Sequence, residues 1–369
     1  MRAHWPVAAA LVLSAALVAP AQAQTDHADV KAVLDQYRSH AGPGAAVFAG
    51  DASGTWHVTS GTASISVTRP IGSGDHFRAA SQTKTFTAVV VLQLVDEGRV
   101  ELDAPIERYL PGVVAGNGYD GNAITVRQLL QHTAGIARDA TNPRAQADGS
   151  YTLAELVRAG LANPPQFAPG TSIGYSNVGY FIAGLLVERV TGKDVRTVFS
   201  ERITVPLGLT GTSLPRPTDR ALPQPYLPGY GGGRLGPFFF WYDTTSNLEM
   251  SSVSTAGALT STLVDLAEFQ SSLDELLSPA ALAEMREAIP FTGSGMDYGL
   301  GLMRLPLPCG GEAWGHAGDL TTGHTSITMA TDDGRFASLV TNTIVTNATA
   351  PTRTDVVAAA LCDMEGSGA

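Results

Sequence analysis

The sequence predicts an α+β fold in which one antiparallel sheet is built from both ends of the chain. Short apolar segments near each end are bounded by turn residues, which is typical of strands. Longer apolar segments fill the middle of the chain and predict helices that flank the sheet, with an all-helical region beside it. No repeat of fixed period is present, which disfavours a solenoid or a propeller.

The strands are expected in two groups. Residues 45–49 and 56–59 are separated by turn-forming residues at 51–54, which indicates a hairpin. Residues 326–330 and 337–341 flank a second turn near the other end of the chain. Because both groups are short and apolar, we expect them to share one sheet.

Helices are expected between and around these strands. The predicted helices are residues 30–37, 85–95, 125–131, 153–159, 178–190 and 354–362. The helical region covers roughly residues 100–250 and is inserted in a single domain, residues 24–365. A Pro- and Gly-rich segment at residues 215–240, with an aromatic cluster at 238–242, is either a mobile connector or a rim over a site.

The N-terminus and the cysteines predict an exported protein. Residues 1–23 are typical of a secretory signal, with an apolar run at residues 7–18 and cleavage expected after Ala23; a buried N-terminal helix is the alternative. No later apolar stretch reaches the roughly 20 residues of a membrane helix. Cys309 and Cys362 are the two cysteines of the chain, and a pair of thiols tends to oxidise outside the cytoplasm. Two free, buried cysteines are the alternative.

The charged residues argue against nucleic acid as a partner and make each lysine a residue of interest. The 369 residues carry a formal net charge of −11 and no run of Lys or Arg, whereas a nucleic-acid site needs clustered cations. The histidines and cysteines lack metal-ligand spacing, and no cofactor is predicted. Lysine occurs only as Lys31, Lys84 and Lys193, so each is a candidate for a specific role.

The tetrad Ser81-Gln82-Thr83-Lys84 places a hydroxyl and an amine one helical turn apart at the start of the apolar helix. A serine hydroxyl is a weak nucleophile until a base removes its proton. A lysine is such a base when burial or neighbouring cations lower its pKa. The alternative is an ordinary helix cap with a solvated lysine, but the apolar sequence around Lys84 favours a nucleophile and its base.

Two further motifs gain weight in combination with the first. Tyr175-Ser176-Asn177 precedes the helix at residues 178–190: the phenol can relay a proton to a leaving group, and the carboxamide of Asn177 can orient the lysine and bind a substrate amide. Alone, this pattern is more typical of a core tyrosine and a helix cap.

The third motif is Gly315-His316-Ala317-Gly318, followed by Asp319. Small residues on an edge strand let a substrate backbone pair with the strand, whose N–H can complete an oxyanion hole with that of Ser81. His316 is a candidate electrostatic partner. A Gly-rich turn with a surface histidine is the alternative.

These three motifs, in this order, resemble the serine β-lactamase and penicillin-binding superfamily. The resemblance is strongest to the secreted D-alanyl-D-alanine carboxypeptidases and to class C β-lactamase-like hydrolases. Other similar segments are residues 92–98, 125–130, 132–135, 169–171, 256–258 and 298–301. The resemblance therefore spans most of the chain and implies the β-lactamase/DD-peptidase-like fold for the catalytic domain.

The resemblance also implies roles for individual residues. Ser81 would be the nucleophile, and Lys84 and Tyr175 would transfer its proton. Asn177 would contact the substrate. His316 would take the place of the lysine in the family's Lys-Thr-Gly motif, and Gly318 would lie on the strand that flanks the substrate. It implies a disulfide between Cys309 and Cys362, as in several secreted members. Asp319 departs from the threonine common in carboxypeptidases. We expect its carboxylate to disfavour anionic substrates; the alternative is that Asp319 points away from the groove.

The leading interpretation is a secreted, D-alanyl-D-alanine carboxypeptidase-like serine hydrolase that forms an acyl-enzyme on Ser81. A β-lactamase or an esterase shares the acylation step, and the sequence does not separate these activities. A non-catalytic receptor for muropeptides or β-lactams is the alternative class, which the intact Ser81, Lys84 and Tyr175 disfavour. We expect a monomer that acts on a small peptide, β-lactam or ester, with peptidoglycan as a further partner.

Overall fold

Strands from the two ends of the chain form one sheet in the computed structural model, which describes Met1 and residues 27–235, 238–291, 295–344 and 350–364. The predicted signal sequence lies outside these residues, apart from Met1. The strands are β1 (Gly44–Asp51), β2 (Gly54–Gly61), β3 (Phe77–Arg78), β4 (Ala115–Gly116), β5 (Tyr119–Asp120), β6 (Tyr230–Leu235), β7 (Phe238–Asp243), β8 (Thr260–Ser261), β9 (Ile289–Phe291), β10 (Met296–Tyr298), β11 (Met303–Pro306), β12 (Glu312–Leu320), β13 (His324–Ala330) and β14 (Phe336–Thr341).

The α-helices occupy the middle of the chain and its two ends. They are α1 (Ala28–Ala41), α2 (Thr83–Asp96), α3 (Val126–Leu130), α4 (Leu153–Leu161), α5 (Asn177–Thr191), α6 (Val195–Phe199), α7 (Ser254–Gly257), α8 (Leu263–Ser271), α9 (Leu273–Leu276), α10 (Pro279–Met285) and α11 (Arg353–Asp363). Short 3-10 turns lie at Ala80–Gln82, Ile106–Arg108 and Met250–Ser252, and a π-helical turn lies at Ser200–Thr204.

The main sheet of the described residues has eight strands in the order β2-β1-β14-β13-β12-β11-β10-β9, and all neighbouring pairs are antiparallel. Its second and third strands are β1 and β14, with Ala45 opposite Thr341 and Ala49 opposite Ala337. The first strands of the chain therefore pair with the last. This arrangement confirms the predicted sheet built from both chain ends.

Helices cover both faces of the main sheet. On the outer face α1 and α11 pack against each other and against the strands, and they bury Val30, Leu34, Val357 and Leu361 completely. The opposite face packs against α8 and the helical part of the chain in a larger apolar cluster that includes Val340 of β14. The sheet thus separates two cores, and α2 lies in the larger one.

α2 is buried over almost its whole length and matches the predicted helix at residues 85–95. The helix begins earlier, however, at Thr83, and includes Lys84. Both residues are fully buried, and their polar atoms are hydrogen-bonded: Thr83 donates to the carbonyl of Ala80, and Lys84 donates to that of Ala256. The apolar pattern that predicts the helix does not reach them, because neither residue is apolar.

The three helices predicted in the middle of the chain correspond to α3, α4 and α5. Each begins after a hydroxyl residue whose side chain accepts a backbone N–H of the first turn: Thr125, Thr152 and Ser176, respectively. α5 ends at Gly192, whose φ of 70° lies in the left-handed region that favours glycine. Since α5 packs against α2, α3, α4 and α7, its first turn is held next to the start of α2.

The Pro- and Gly-rich segment expected to be a connector or a rim contains a β-hairpin. β6 and β7 pair antiparallel along their described length. Glycines are needed on β6 because a Cβ at Gly231 would lie 2.6 Å from the ring of Tyr242, and one at Gly232 would lie 2.1 Å from the carbonyl oxygen of Phe240. Most aromatic side chains of β7 are exposed.

A disulfide joins Cys309, between β11 and β12, to Cys362 of α11, with the two Cα atoms 5.7 Å apart. This is the predicted pairing, and it ties the last helix to the sheet. Within the described ranges, every helix falls short of the combined length and apolar character that crossing a membrane would require.

Candidate active site

Ser81 lies in the 3-10 turn that leads into α2, and its side chain is half-buried. The preceding Ala80 has a φ of 52°, which residues with a side chain rarely adopt. Gly318 of β12 approaches this turn so closely that a Cβ there would lie 2.3 Å from the carbonyl oxygen of Ala79 and 3.1 Å from the backbone N of Ser81. The absence of a side chain at Gly318 therefore lets the strand lie directly beside Ser81.

β12 extends past its neighbour β11 into the site. β11 pairs with β12 only as far as Met303 opposite Gly315. Within the described part of the chain, residues 316–320 of β12 thus have no paired strand on that side. A free strand edge beside Ser81 can pair with the backbone of a peptide-like substrate.

The side chain of Lys84 is fully buried, and its amine contacts three acceptors. Nζ lies 2.7 Å from Oδ1 of Asn177, 2.7 Å from the carbonyl oxygen of Ala256 and 3.2 Å from Oγ of Ser81. The two shorter contacts come from atoms that only accept hydrogen bonds, whereas the hydroxyl of Ser81 can also donate one. Lys84 is therefore held on two sides and faces the serine on the third.

The protonation state of Lys84 follows from its surroundings. Burial is the main reason why the pKa of Lys84 lies well below its usual value; Asp139 raises this pKa and Arg138 lowers it further. A neutral amine has two protons and one lone pair. Since the two fixed acceptors take the protons, the lone pair is left for the hydroxyl of Ser81, which Lys84 can then deprotonate.

Tyr175 contacts the same hydroxyl. Its phenol is hydrogen-bonded to Ser81, and its ring centroid lies 4.7 Å from Nζ of Lys84. Burial raises the pKa of Tyr175 above its usual value, while the hydrogen bond to Ser81 acts in the opposite direction. The phenol therefore keeps its proton at neutral pH. One hydroxyl is thus flanked by a proton acceptor and a proton donor.

Asn177, the first residue of α5, connects Lys84 to a carboxylate at the rim. Its Oδ1 accepts from Lys84, and its Nδ2 donates to Oδ1 of Asp139 at 2.6 Å. Its backbone N–H donates to the carbonyl of Arg138 at 2.7 Å. The motifs in the sequence do not identify Asp139 as part of the site, because an Arg-Asp pair in a loop is typical of any charged surface.

His132 is a second residue that the motifs do not place in the site. It is buried, its Nδ1 accepts the backbone N–H of Ser176 at 3.1 Å, and its ring centroid lies 4.3 Å from that of Tyr175. Burial, and then the nearby Lys84, keep the pKa of His132 well below its usual value, so the ring is neutral and Nδ1 can accept. In the sequence, His132 stands out only as the first residue of the family-like segment 132–135, and that resemblance does not give it a role.

His316 is buried, and its ring is neutral at pH 7; its expected role as an electrostatic partner of the substrate stays a prediction. Its Nδ1 lies 2.5 Å from the carbonyl oxygen of Ala317, and its Nε2 lies 3.0 Å from the phenol oxygen of Tyr298. Burial, and then the amine of Lys84, lower the pKa of His316 to about 3. At neutral pH Nδ1 therefore donates to Ala317, and Nε2 accepts from Tyr298.

Asp319 lies on the outer face of β12, which agrees with the alternative orientation, away from the substrate groove; its expected contact with a substrate stays a prediction. Successive side chains of a strand point to opposite faces, and it is Gly318 that faces Ser81. The carboxylate of Asp319 accepts from Nη1 of Arg353 at 2.8 Å and from Oγ1 of Thr325 at 2.8 Å. Because Arg353 balances its charge, this pairing weakens the expected repulsion of anionic substrates by Asp319.

A family model described as Beta-lactamase matches residues 21–361 of the chain. Among curated relatives, penicillin-binding protein 4 of Amycolatopsis lactamdurans is 35% identical over 192 residues, which cover 50% of this chain and 48% of that protein. The chain spans about half the length of the curated relatives that it matches first.

Two solved structures share the architecture over most of both chains. A D-stereospecific amidohydrolase from Streptomyces sp. is 37% identical, with a TM-score of 0.76, and the match covers 86% of this chain and 94% of that one. A D-amino acid amidase from Ochrobactrum anthropi SV3 is 27% identical, with a TM-score of 0.80 and coverage of 93% and 100%. These similarities confirm the predicted α+β fold.

Proposed function

Because the chain belongs to the β-lactamase family, whose members are serine hydrolases, we propose that it hydrolyses amide bonds through an acyl-enzyme on Ser81. The observation that carries this proposal is the 3.2 Å contact between Nζ of Lys84 and Oγ of Ser81. That amine is buried, its pKa is lowered, and two fixed acceptors hold its protons. The contact therefore supplies what a serine nucleophile needs, which is a nearby neutral base.

In the acylation step Lys84 takes the proton of Ser81, and Oγ forms a bond to the carbonyl carbon of the substrate. The negative charge that develops on the carbonyl oxygen is stabilised by two backbone N–H groups, that of Ser81 and one on the free edge of β12. When the C–N bond breaks, the leaving nitrogen takes the proton of Tyr175. The phenolate then takes the proton held by Lys84, and both groups return to their starting forms.

In the deacylation step a water molecule replaces the leaving amine. The Lys84 and Tyr175 pair accepts a proton from the water, whose oxygen attacks the acyl carbon. The bond to Oγ of Ser81 breaks, and the serine regains its proton from the same pair. The products are a carboxylic acid and the free enzyme.

We favour the amides of D-amino acids, including peptides with a D-residue at the scissile bond, as the substrate class. The Streptomyces relative is a D-stereospecific amidohydrolase, and the Ochrobactrum relative is a D-amino acid amidase. The charges along β12 agree with this choice. Neither His316, which is neutral, nor Arg353, which is paired with Asp319, offers a free cation to a substrate carboxylate.

The second candidate is the expected D-alanyl-D-alanine carboxypeptidase activity, or turnover of β-lactams by the same acylation. The 35% identity to a penicillin-binding protein of Amycolatopsis favours it. It ranks second because a carboxypeptidase must also bind the terminal carboxylate of its substrate, which a free cation would favour. Arg138 lies 5.4 Å from the ring centroid of Tyr175, but it is paired with Asp139 at 3.4 Å. Neutral esters remain substrates under either candidate, since they need only the acylation chemistry.

We further propose an extracytoplasmic location. The disulfide between Cys309 and Cys362 supports it, because such bonds persist in oxidising compartments, and so does the predicted signal at residues 1–23. In that location peptidoglycan fragments with D-residues are available as substrates. The monomeric state stays a prediction.

A comparison of substrates tests the proposed function. Purified protein is incubated separately with D- and L-phenylalanine amide, an acyl-D-Ala-D-Ala peptide, a penicillin and a neutral ester, and products and intact mass are followed. We expect kcat/KM for the D-amide to exceed that for the L-amide at least about tenfold, and a mass adduct that maps to Ser81.

The control is Ser81→Ala, which should lose turnover and adduct while it melts at the same temperature as the wild type. Faster turnover of acyl-D-Ala-D-Ala than of the D-amides would favour the second candidate. If neither an adduct nor product forms with any of these substrates, both candidates are refuted and a non-catalytic receptor is left.

A further inference from the structure

The side-chain amide of Asn177 has a partner at each end. Its oxygen accepts a hydrogen bond from Nζ of Lys84 at 2.7 Å, and its nitrogen donates one to a carboxylate oxygen of Asp139 at 2.6 Å. The two ends of an amide have nearly the same shape, so its partners decide which end points where. An ionised carboxylate only accepts hydrogen bonds. Asp139 therefore selects the orientation in which the amide oxygen faces Lys84.

We propose that Asp139 is a positioning residue for acylation, which fixes the amide of Asn177 so that the lone pair of Lys84 stays directed at Ser81. This inference rests on the proposed function, in which Ser81 is the nucleophile. Asp139 does not contact Lys84 or Ser81 itself. It acts through the chain of hydrogen bonds that joins its carboxylate, the amide and the amine.

The opposite orientation of the amide would interfere with the reaction. Nδ2 of Asn177 would then point at Nζ of Lys84 and donate to its lone pair, which is the electron pair that must take the proton of Ser81. One proton of the amine would also lose its acceptor in a buried site. The orientation that Asp139 selects is thus the one compatible with a free base.

The backbone around Asp139 is held independently of its carboxylate. The carbonyl of Arg138 accepts the backbone N–H of Asn177 at 2.7 Å, and the carbonyl of Asp139 accepts from Nδ2 of Asn163 at 3.3 Å. The side chain of Asp139 is 60% exposed. Its replacement should therefore change the amide without unfolding the loop.

Other ionisable groups also face Lys84, and they decide how a pH profile responds. Arg138 is the charged neighbour that opposes Asp139, and the two form an ion pair at 3.4 Å. The histidines His132 and His316 are neutral at pH 7, because burial lowers the pKa of each. The phenol of Tyr175 is neutral as well, since burial raises its pKa. Removal of the charge of Asp139 should therefore move the profile of Lys84 to lower pH, because Asp139 favours the protonated amine.

Two variants weaken the selection of the orientation to different degrees. In Asp139→Ala the partner of Nδ2 is lost, whereas Asp139→Asn loses the charge and keeps an oxygen that can accept from Nδ2, but its own NH2 group can also hold the opposite orientation. The readout is the second-order rate of labelling by a fluorophosphonate between about pH 5 and pH 10, with the labelled serine identified by mass spectrometry.

We expect the limiting rate at high pH to fall at least about fivefold in Asp139→Ala. In Asp139→Asn it should lie between that of Asp139→Ala and that of the wild type, because the new amide can hold Asn177 in either orientation. In both variants the midpoint of the acid limb should move to lower pH. Should the alanine variant fail to melt cooperatively, Asp139→Ser replaces it, since its hydroxyl is too short to reach the amide.

The matched control is Asp120→Ala. Asp120 is also an exposed aspartate that accepts from an asparagine amide, that of Asn122 at 3.0 Å, but it has no connection to Lys84, and its removal should leave the profile unchanged. A smaller loss than about fivefold in Asp139→Ala, or a limiting rate in Asp139→Asn equal to that of the wild type, would overturn the inference. Failure of the wild type to label at Ser81 would instead overturn the proposed function on which it rests.

Discussion

Tyr175 and Lys84 lie against each other, with the ring centroid of one 4.7 Å from the Nζ of the other, and burial moves their pKa values in opposite directions. The amine loses its proton more easily than usual, and the phenol holds its proton more firmly. Both groups are therefore neutral next to the hydroxyl of Ser81. A neutral pair costs less to bury than two charges, and it is also the pair that the proposed reaction requires.

The rate of acylation should fall as the pH drops through the pKa of Lys84. Below that pKa the amine is protonated and cannot act as a base; above it the lone pair is free. Because the pKa of Lys84 is lowered, the midpoint should lie well below the ordinary value for lysine of about 10.4. The measurement is kcat/KM for a neutral amide as a function of pH. A midpoint at the ordinary value would contradict the lowered pKa of Lys84.

Tyr175→Phe should slow amides far more than activated esters. A leaving amine needs a proton, whereas a nitrophenolate leaves without one. We expect kcat/KM, which reports the acylation step, to fall by about 100-fold for an amide and by less than about fivefold for a nitrophenyl ester. Steady-state kinetics on both substrates give this ratio. Equal losses on the two would assign the phenol to activation of Ser81 rather than to the leaving group.

Asp319→Thr should leave substrate preference almost unchanged, since this side chain is paired with Arg353 on the outer face of the strand. The ratio of kcat/KM for an acyl-D-Ala-D-Ala peptide to that for a neutral ester should stay within about threefold of the wild type. The lost ion pair is partly exposed and should cost less than about 1 kcal/mol of stability in urea unfolding. A large rise in the ratio would place Asp319 in the substrate site after all.

Loss of the disulfide should destabilise the protein without changing its chemistry. The bond closes a loop with a sequence separation of 53 residues, for which the chain-entropy model gives about 4 kcal/mol. Urea unfolding of Cys309→Ser/Cys362→Ser measures this loss, and kcat should be retained below the transition. Two free thiols in the denatured, unreduced wild type would contradict the bond itself.

Gly318→Ala should displace the nucleophile. The new Cβ would lie 2.3 Å from the carbonyl oxygen of Ala79, so either the strand or the turn that holds Ser81 must move. Since a shift of about 1 Å can cost about 100-fold in rate, we expect a loss of that order in fluorophosphonate labelling. Gly233→Ala is the control, because a Cβ there meets no atom within 4 Å. An unchanged rate in Gly318→Ala would show that the site tolerates a wider gap.

The sequence was sufficient for features that depend on local pattern. The spacing of Ser81 and Lys84 predicts their contact because an α-helix repeats every 3.6 residues, and apolar runs predict α2 and the strands. It was insufficient where distant residues decide. Asp319 is paired with Arg353, which is remote in sequence, and the neutrality of His316 comes from its burial beside Tyr298.

Two other features lacked a pattern that would reveal them. The sequence does not predict the hairpin of β6 and β7, because glycines usually indicate a loop. Here the glycines of β6 are required by the close approach of Tyr242 and Phe240. Asp139 was hidden because its importance comes from a single hydrogen bond to Asn177, and an exposed aspartate carries no such information in the sequence.

A ribosome makes Ser81 long before it makes the strand that lies beside it. Ser81 and Lys84 are made in the first third of the chain, but Gly318 and the neighbours that hold β12 in place, up to β14, come near the end. Contacts between such distant segments form late and slowly. For most of its synthesis the nascent chain therefore carries Ser81 without its neighbouring strand, and the candidate site is complete only when the C-terminal strands have packed beside it.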